Sequence, residues 1–88
     1  MTTLNPSPVQ EFPANSLEKQ IYSLIDSFAD YLPIPNDRNR LSYCLFKYMN
    51  GEGDAPAILV KNQKMKINGI SHADLAAKIE EGLKNITK

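Results

Sequence analysis

The residue types with the clearest chemical capacity are one histidine and one cysteine, His72 and Cys44. Acid–base or nucleophilic catalysis requires a base held near a nucleophile or near a second acid. His72 falls in the first turn of a predicted helix, where an imidazole is commonly exposed, and Cys44 falls within an apolar stripe, as a small buried hydrophobe does. No group of His, Cys, Asp and Glu has the spacing of metal ligands. We therefore predict a protein that is not an enzyme, with no catalytic residue, cofactor, metal site or small-molecule substrate.

The basic side chains are unevenly spread along a chain whose net charge is zero. Residues 1–36 carry a balance of −3, whereas residues 37–66 hold six basic residues and three acids. This layout can orient a partner or favour self-association, but ordinary solvated faces are the favoured explanation. Zero net charge argues against a strong generic nucleic-acid binder. The candidate contacts to a polyanion are Arg38, Arg40, Lys47, Lys61, Lys64 and Lys66.

Length and composition bound the class of protein. Eighty-eight residues, 42% of them apolar and 23% charged, predict one small globular domain, which we place at residues 15–88. The sequence has no apolar run long enough to span a membrane and no secretory signal, so we expect a cytoplasmic protein without membrane contact. One cysteine allows no internal disulfide.

The first predicted helix follows a proline-containing segment, residues 1–14, which we expect to be a flexible tail. Asn15 is a suitable N-cap and Glu18 stands where a capping-box acid belongs. Apolar residues then recur at helical spacing until Leu32, and Pro33 ends the pattern. The predicted buried stripe is Leu17, Ile21, Leu24, Ile25, Phe28 and Leu32.

A second helix is predicted from Asn36 or Asp37 to a glycine stop after Asn50. Its buried stripe is predicted as Leu41, Cys44, Leu45, Tyr48 and Met49. Tyr43 and Phe46 lie outside that stripe, and a helix that is apolar on two sides is either central in a fold or committed to a partner. We predict a protein interface at Tyr43 and Phe46; the alternative is that both only flank the core.

Residues 57–67, AILVKNQKMKI, alternate in a way that is typical of a β-hairpin. With a turn at Asn62-Gln63, we expect Ile58, Val60, Met65 and Ile67 to face inward. The outer face would then carry Leu59, Lys61, Lys64 and Lys66. A basic face of this kind contacts phosphates in some proteins, and more often protects a sheet edge from aggregation.

The last helix is predicted from the N-cap Ser71, with Asp74 at the capping-box position and Gly82 as the mark of a close helix contact. Its buried stripe is predicted as Leu75, Ala76, Ile79, Leu83 and Ile86. The order is α-α-β-β-α. The predicted fold class is therefore α+β: a small single domain of two N-terminal helices plus a β-hairpin packed on a C-terminal helix.

Two stretches resemble parts of known folds. Residues 55–69 and the closing helix resemble the C-terminal half of a thioredoxin-like fold, in which a proline precedes a hairpin; without a Cys-x-x-Cys pair, redox function does not carry over. Residues 70–79 are similar to the first helix of a helix-turn-helix, but we expect no room for a recognition helix after Ile79.

The sequence thus leads to three functional hypotheses. The first is a small non-enzymatic regulatory or adaptor protein that acts through protein–protein contacts as a homodimer or on a protein partner. The second, less favoured, is a nucleic-acid-binding transcriptional or developmental regulator that uses the basic hairpin face. The third, a redox role for Cys44, requires a thiol that reacts in the folded state.

Overall fold

A computed structural model describes residues 16–86, and α-helices are the regular secondary structure of this range. The helices are α1 (Leu17–Asp26), α2 (Pro35–Met49), α3 (Pro56–Asn62) and α4 (His72–Lys84). Residues 16–86 contain no β-strand, so the predicted α+β class is wrong and the described fold is all-helical. None of these four helices is long and apolar enough to cross a membrane.

The helices form two pairs, α1 with α2 and α3 with α4, and the pairs meet where α1 touches α4 and α2 touches α3. Asp26, at the end of α1, forms an ion pair with Arg38 near the start of α2, so these two helices run antiparallel. Both pairs contribute apolar side chains to one buried cluster. Its members are Ile21, Ile25, Leu32, Leu41, Leu45, Leu59, Val60, Leu75, Ala76, Ile79 and Leu83.

The β-hairpin predicted for residues 57–67 is absent, because its first half is the helix α3. Pro56 occupies the first turn of α3, where its missing N–H removes no hydrogen bond. Leu59 and Val60 follow it at helical spacing and are buried. Ile58, predicted to face inward, is 45% exposed. The likeness to a thioredoxin-like half does not extend to the structure, since the hairpin that carried it is not formed.

The ends of α1 differ from the prediction. Asn15 and the predicted tail lie outside the described residues. Ser16 is the observed N-cap, and its hydroxyl accepts the main-chain N–H of Lys19 at 3.1 Å. The helix ends at Asp26, and the chain continues in turns toward Leu32, which is fully buried as predicted.

The predicted bounds of α2 and the predicted start of α4 are confirmed to within one or two residues. Gly51, just beyond the C-cap of α2, has φ of +82°, which suits a glycine stop. Ser71 caps α4 by accepting the N–H of Asp74 at 3.1 Å. Gly82 allows a close contact between α4 and α1, because a Cβ there would lie 2.8 Å from a methyl carbon of Leu24. The predicted contact at Gly82 is confirmed.

Candidate interaction surfaces

An exposed tyrosine stands in the middle of α2, on the side away from the core. Tyr43 is 56% exposed, the largest exposure among the bulky apolar and aromatic side chains of residues 16–86. The ammonium group of Lys47, one turn further along, lies 5.6 Å from the centre of the Tyr43 ring, at the distance of a cation–π contact. In this contact the ammonium group lies over one face of the ring.

A second tyrosine lies close to Tyr43 on the neighbouring helix α1. Burial, then the proximity of Tyr43 and then that of Glu18, raise the pKa of Tyr22 above its ordinary value. The two helices are antiparallel, so Glu18 and Lys47, each about one turn beyond these tyrosines, lie at the same end of the pair. We call this surface, formed by Glu18, Tyr22, Tyr43 and Lys47, the tyrosine face.

Phe46, which we predicted to share an interface with Tyr43, occupies a different position. It is half-buried and packs against the apolar core. The structure therefore gives the two predicted interface residues different surroundings: Tyr43 is exposed, and Phe46 is half-buried against the core.

Arg38, a candidate polyanion contact, makes its polar contacts within the protein. Its side chain is only 16% exposed. Its Nε lies 3.2 Å from a carboxylate oxygen of Asp26, and its Nη1 donates to the carbonyl of Leu32 at 2.6 Å. Arg38 thus ties the start of α2 to the end of α1, and little of its charge is available to a phosphate.

Arg40 is also engaged, with the chain that follows α3. Its Nε donates to the side-chain oxygen of Gln63 at 2.7 Å, and its Nη2 donates to the carbonyl of Lys64 at 2.9 Å and to Asp37 at 3.2 Å. The Asp37 carboxylate, in a residue that is 7% exposed, also accepts the main-chain N–H of Lys66 at 3.0 Å. Arg40 and Asp37 together fasten the chain after α3 to the first turns of α2.

Asp37 is the most consequential residue that sequence reasoning left without a role. An acid in the first turn of a helix is usually explained by the helix dipole. The arginine three residues later was the one available signal that this carboxylate has a side-chain partner. Nothing local indicates that Lys66, twenty-nine positions away, supplies the second hydrogen bond.

The six candidate polyanion contacts therefore do not form one surface. Arg38 and Arg40 make internal contacts, and Lys47 lies on the tyrosine face. The remaining three lysines, Lys61, Lys64 and Lys66, are exposed along the end of α3 and the chain that follows it. The predicted basic hairpin face does not exist, because the hairpin itself is absent.

Cys44 and His72, the residues with the clearest chemical capacity, are far apart in the sequence and have different surroundings. Cys44 is half-buried, and its Sγ accepts a hydrogen bond from the side-chain nitrogen of Gln63 at 3.2 Å. His72 is exposed at the first residue of α4, as predicted. Among residues 16–86, no three His, Cys, Asp or Glu side chains are grouped so that they could hold a metal ion.

A cleft of about 250 Å³ lies between the C-terminal parts of α2 and α4. Its lining residues are Tyr48, Met49, Glu80, Leu83 and Lys84. The ionisable groups in this set are a tyrosine, a glutamate and a lysine. The cleft thus combines apolar contact from Met49 and Leu83 with one acid and one base.

No protein-family model, no curated protein and no solved structure matches this chain. The tyrosine face and the chain after α3 are the two surfaces of the protein with the clearest physical features.

Proposed function

We propose that this chain is a small, non-enzymatic adaptor or regulatory protein that self-associates through the tyrosine face. The observation that carries the proposal is the 56% exposure of Tyr43 in the middle of an ordered helix. A cytoplasmic location is part of the proposal, because a lone half-buried thiol suits a reducing compartment.

The chemistry of the tyrosine face supports protein–protein contact. Tyrosine is enriched in the buried centres of protein interfaces, where its ring provides apolar area and its hydroxyl finds a hydrogen bond. The core needs no contribution from Tyr43, because the opposite side of α2 is buried through Leu41 and Leu45. The exposed ring thus has no evident role in the isolated domain.

The charges of the tyrosine face favour a second copy of the chain as its occupant. The face carries one acid and one base, Glu18 and Lys47, so it matches neither a polyanion nor a polycation. A twofold axis running along the helices, between α1 and α2, would place Glu18 of one copy opposite Lys47 of the other. The same rotation would bring Tyr22 of one copy over Tyr43 of the other. The face is therefore complementary to itself.

Charge placed at Tyr43 should abolish self-association. We expect Tyr43→Asp to convert a dimer into a monomer, because two desolvated carboxylates would face the partner's rings with no added cation. Tyr43→Phe should remain dimeric, since it keeps the ring. Size-exclusion chromatography with light scattering measures the mass, and circular dichroism checks that each variant is folded.

Ile58→Asp is the matched control, because Ile58 is also a bulky exposed side chain and lies on a helix, α3, that contributes no residue to the tyrosine face. This variant should keep the mass of the wild type. A wild-type monomer, or a dimer that survives Tyr43→Asp, would remove the proposal. Loss of the dimer in Ile58→Asp alone would move the interface to α3 and would equally contradict it.

A further inference from the structure

The chain after α3 belongs to no helix or sheet, but its exposure and its hydrogen bonds follow the pattern of extended backbone. We call residues 63–68 the connecting segment. It begins in extended backbone, with φ of −77° and ψ of 133° at its first residue. Exposure then alternates, with Lys64 and Lys66 exposed and Met65 and Ile67 half-buried. A period of two is the signature of an extended chain with one side against a core.

One edge of the connecting segment is occupied. Its even-numbered residues use main-chain groups to bond α2 and the turns before it. These bonds are Lys64 O with Arg40 Nη2 (2.9 Å), Lys66 N with Asp37 Oδ2 (3.0 Å) and Asn68 N with Tyr31 O (2.9 Å). Main-chain groups of alternate residues in an extended strand point to the same edge, so these three bonds define that edge.

The opposite edge is open. It carries the main-chain N–H and C=O groups of Met65 and Ile67, which have no hydrogen-bond partner within residues 16–86. An unpaired main-chain group that is buried away from water is costly, so we expect these groups to face solvent. A strand edge of this kind is a template on which another extended chain can pair.

The surroundings of the open edge are positively charged. Lys64 and Lys66 are exposed along it, and Lys61 precedes it in the last turn of α3. The connecting segment contacts the carboxylate of Asp37, which is buried and already bonded to Arg40 and to the Lys66 N–H. A partner strand would therefore meet two lysines without a competing exposed acid on the segment.

We propose that the connecting segment binds an extended peptide in which acidic and apolar residues alternate, by main-chain pairing along the open edge. Residues opposite each other on paired strands share a face. Acidic side chains would thus stand beside Lys64 and Lys66, and apolar ones beside Met65 and Ile67. This surface is separate from the tyrosine face, so an adaptor would use one to self-associate and the other to hold its partner.

A peptide fits these observations better than a nucleic acid does. The open edge offers main-chain donors and acceptors at strand spacing, which match another main chain and not a sugar–phosphate backbone. The connecting segment, KMKIN after its first glutamine, contains no aromatic side chain on which a base could stack.

The test uses a fluorescent peptide in which glutamate and valine alternate, added to the full chain and followed by anisotropy. We expect saturable binding that weakens about fivefold or more in the double variant Lys64→Ala/Lys66→Ala, because two cross-strand charge pairs are lost. Lys78→Ala/Lys84→Ala removes two exposed lysines of α4 and should leave the affinity unchanged. N-methylation of the peptide at alternate amides should abolish binding, since it blocks main-chain pairing.

Amide hydrogen exchange supplies a second readout of the same proposal. In the free chain, the amides of Lys66 and Asn68 should exchange slowly and those of Met65 and Ile67 quickly; the peptide should slow the latter two. Tyr43→Asp should bind the peptide like the wild type, which keeps this proposal distinct from self-association.

Several outcomes would overturn the proposal. These are absence of binding, equal affinity for a peptide with its glutamates in one block, full binding of the N-methylated peptide, and preferential binding of duplex DNA. Any of the last three results would indicate that the lysines attract a ligand by charge alone, without main-chain pairing.

Discussion

Asp37→Ala should lower the free energy of unfolding by about 2–3 kcal/mol. The variant removes a buried carboxylate, leaves the main-chain N–H of Lys66 without its acceptor, and breaks the ion pair with Arg40. The loss is limited because the Arg40 side chain is 46% exposed and can be hydrated. Chemical denaturation followed by circular dichroism measures the effect.

Asp26→Ala is the matched control for Asp37→Ala, since it removes the carboxylate of another ion pair. The Asp26 side chain is 62% exposed, and its partner Arg38 retains a hydrogen bond to the carbonyl of Leu32. We expect a loss below about 1 kcal/mol. If the two variants cost the same, Asp37 does not anchor the connecting segment in the way described.

Leu59→Ala should cost about 2–4 kcal/mol, whereas Ile58→Ala should change stability by less than about 0.5 kcal/mol. Leu59 is buried between α3 and the rest of the core, and its truncation leaves a cavity. Ile58 points to solvent from the same helix, and alanine is a better helix former than isoleucine at such a site. Equilibrium denaturation of the two variants gives the comparison.

The comparison of Leu59→Ala with Ile58→Ala also separates the helix from the β-hairpin that the sequence pattern indicated. In that hairpin, Ile58 would face the core and Leu59 would face solvent, so the order of the two effects would be reversed. A larger loss for Ile58→Ala would therefore contradict α3.

The helices α2 and α4 were predictable because their signals are local and agree with one another. In α4 a serine N-cap, an acid three residues later and a regular apolar stripe all indicate the same start and the same buried side. In α2 the stripe through Leu41 and Leu45 ends at a glycine whose positive φ completes the helix. Such features need no knowledge of distant residues.

The hairpin prediction failed because a short apolar run fits a strand and a helix equally well. Helical spacing of Pro56, Leu59 and Val60 was present in the sequence, with proline at a position that helices accept. Residues 64–67 were assigned to the second strand of that hairpin, and this strand is not formed. The predicted hydrogen-bonding partner of this strand was also wrong, because the acceptor of the Lys66 N–H is the side chain of Asp37 and not a neighbouring strand.

The interaction surfaces were partly predictable, because the exposed side of a helix follows from local periodicity. The position of Tyr43 outside the buried stripe follows from helical periodicity alone, and the structure places it outward. The fate of Arg38 and Arg40 depends on Asp26, Leu32 and Lys64, which approach them only in the folded chain. The number of basic residues in a sequence does not show which of them can bind a partner and which make contacts within the fold.

The mass of the wild-type chain in solution tests self-association most directly. Sedimentation equilibrium over a series of protein concentrations should give a mass that rises to twice the 9.9 kDa of one chain. Tyr43→Asp should stay at 9.9 kDa over the same series. A wild-type chain that remains at the mass of one copy up to its highest soluble concentration would contradict the proposed function.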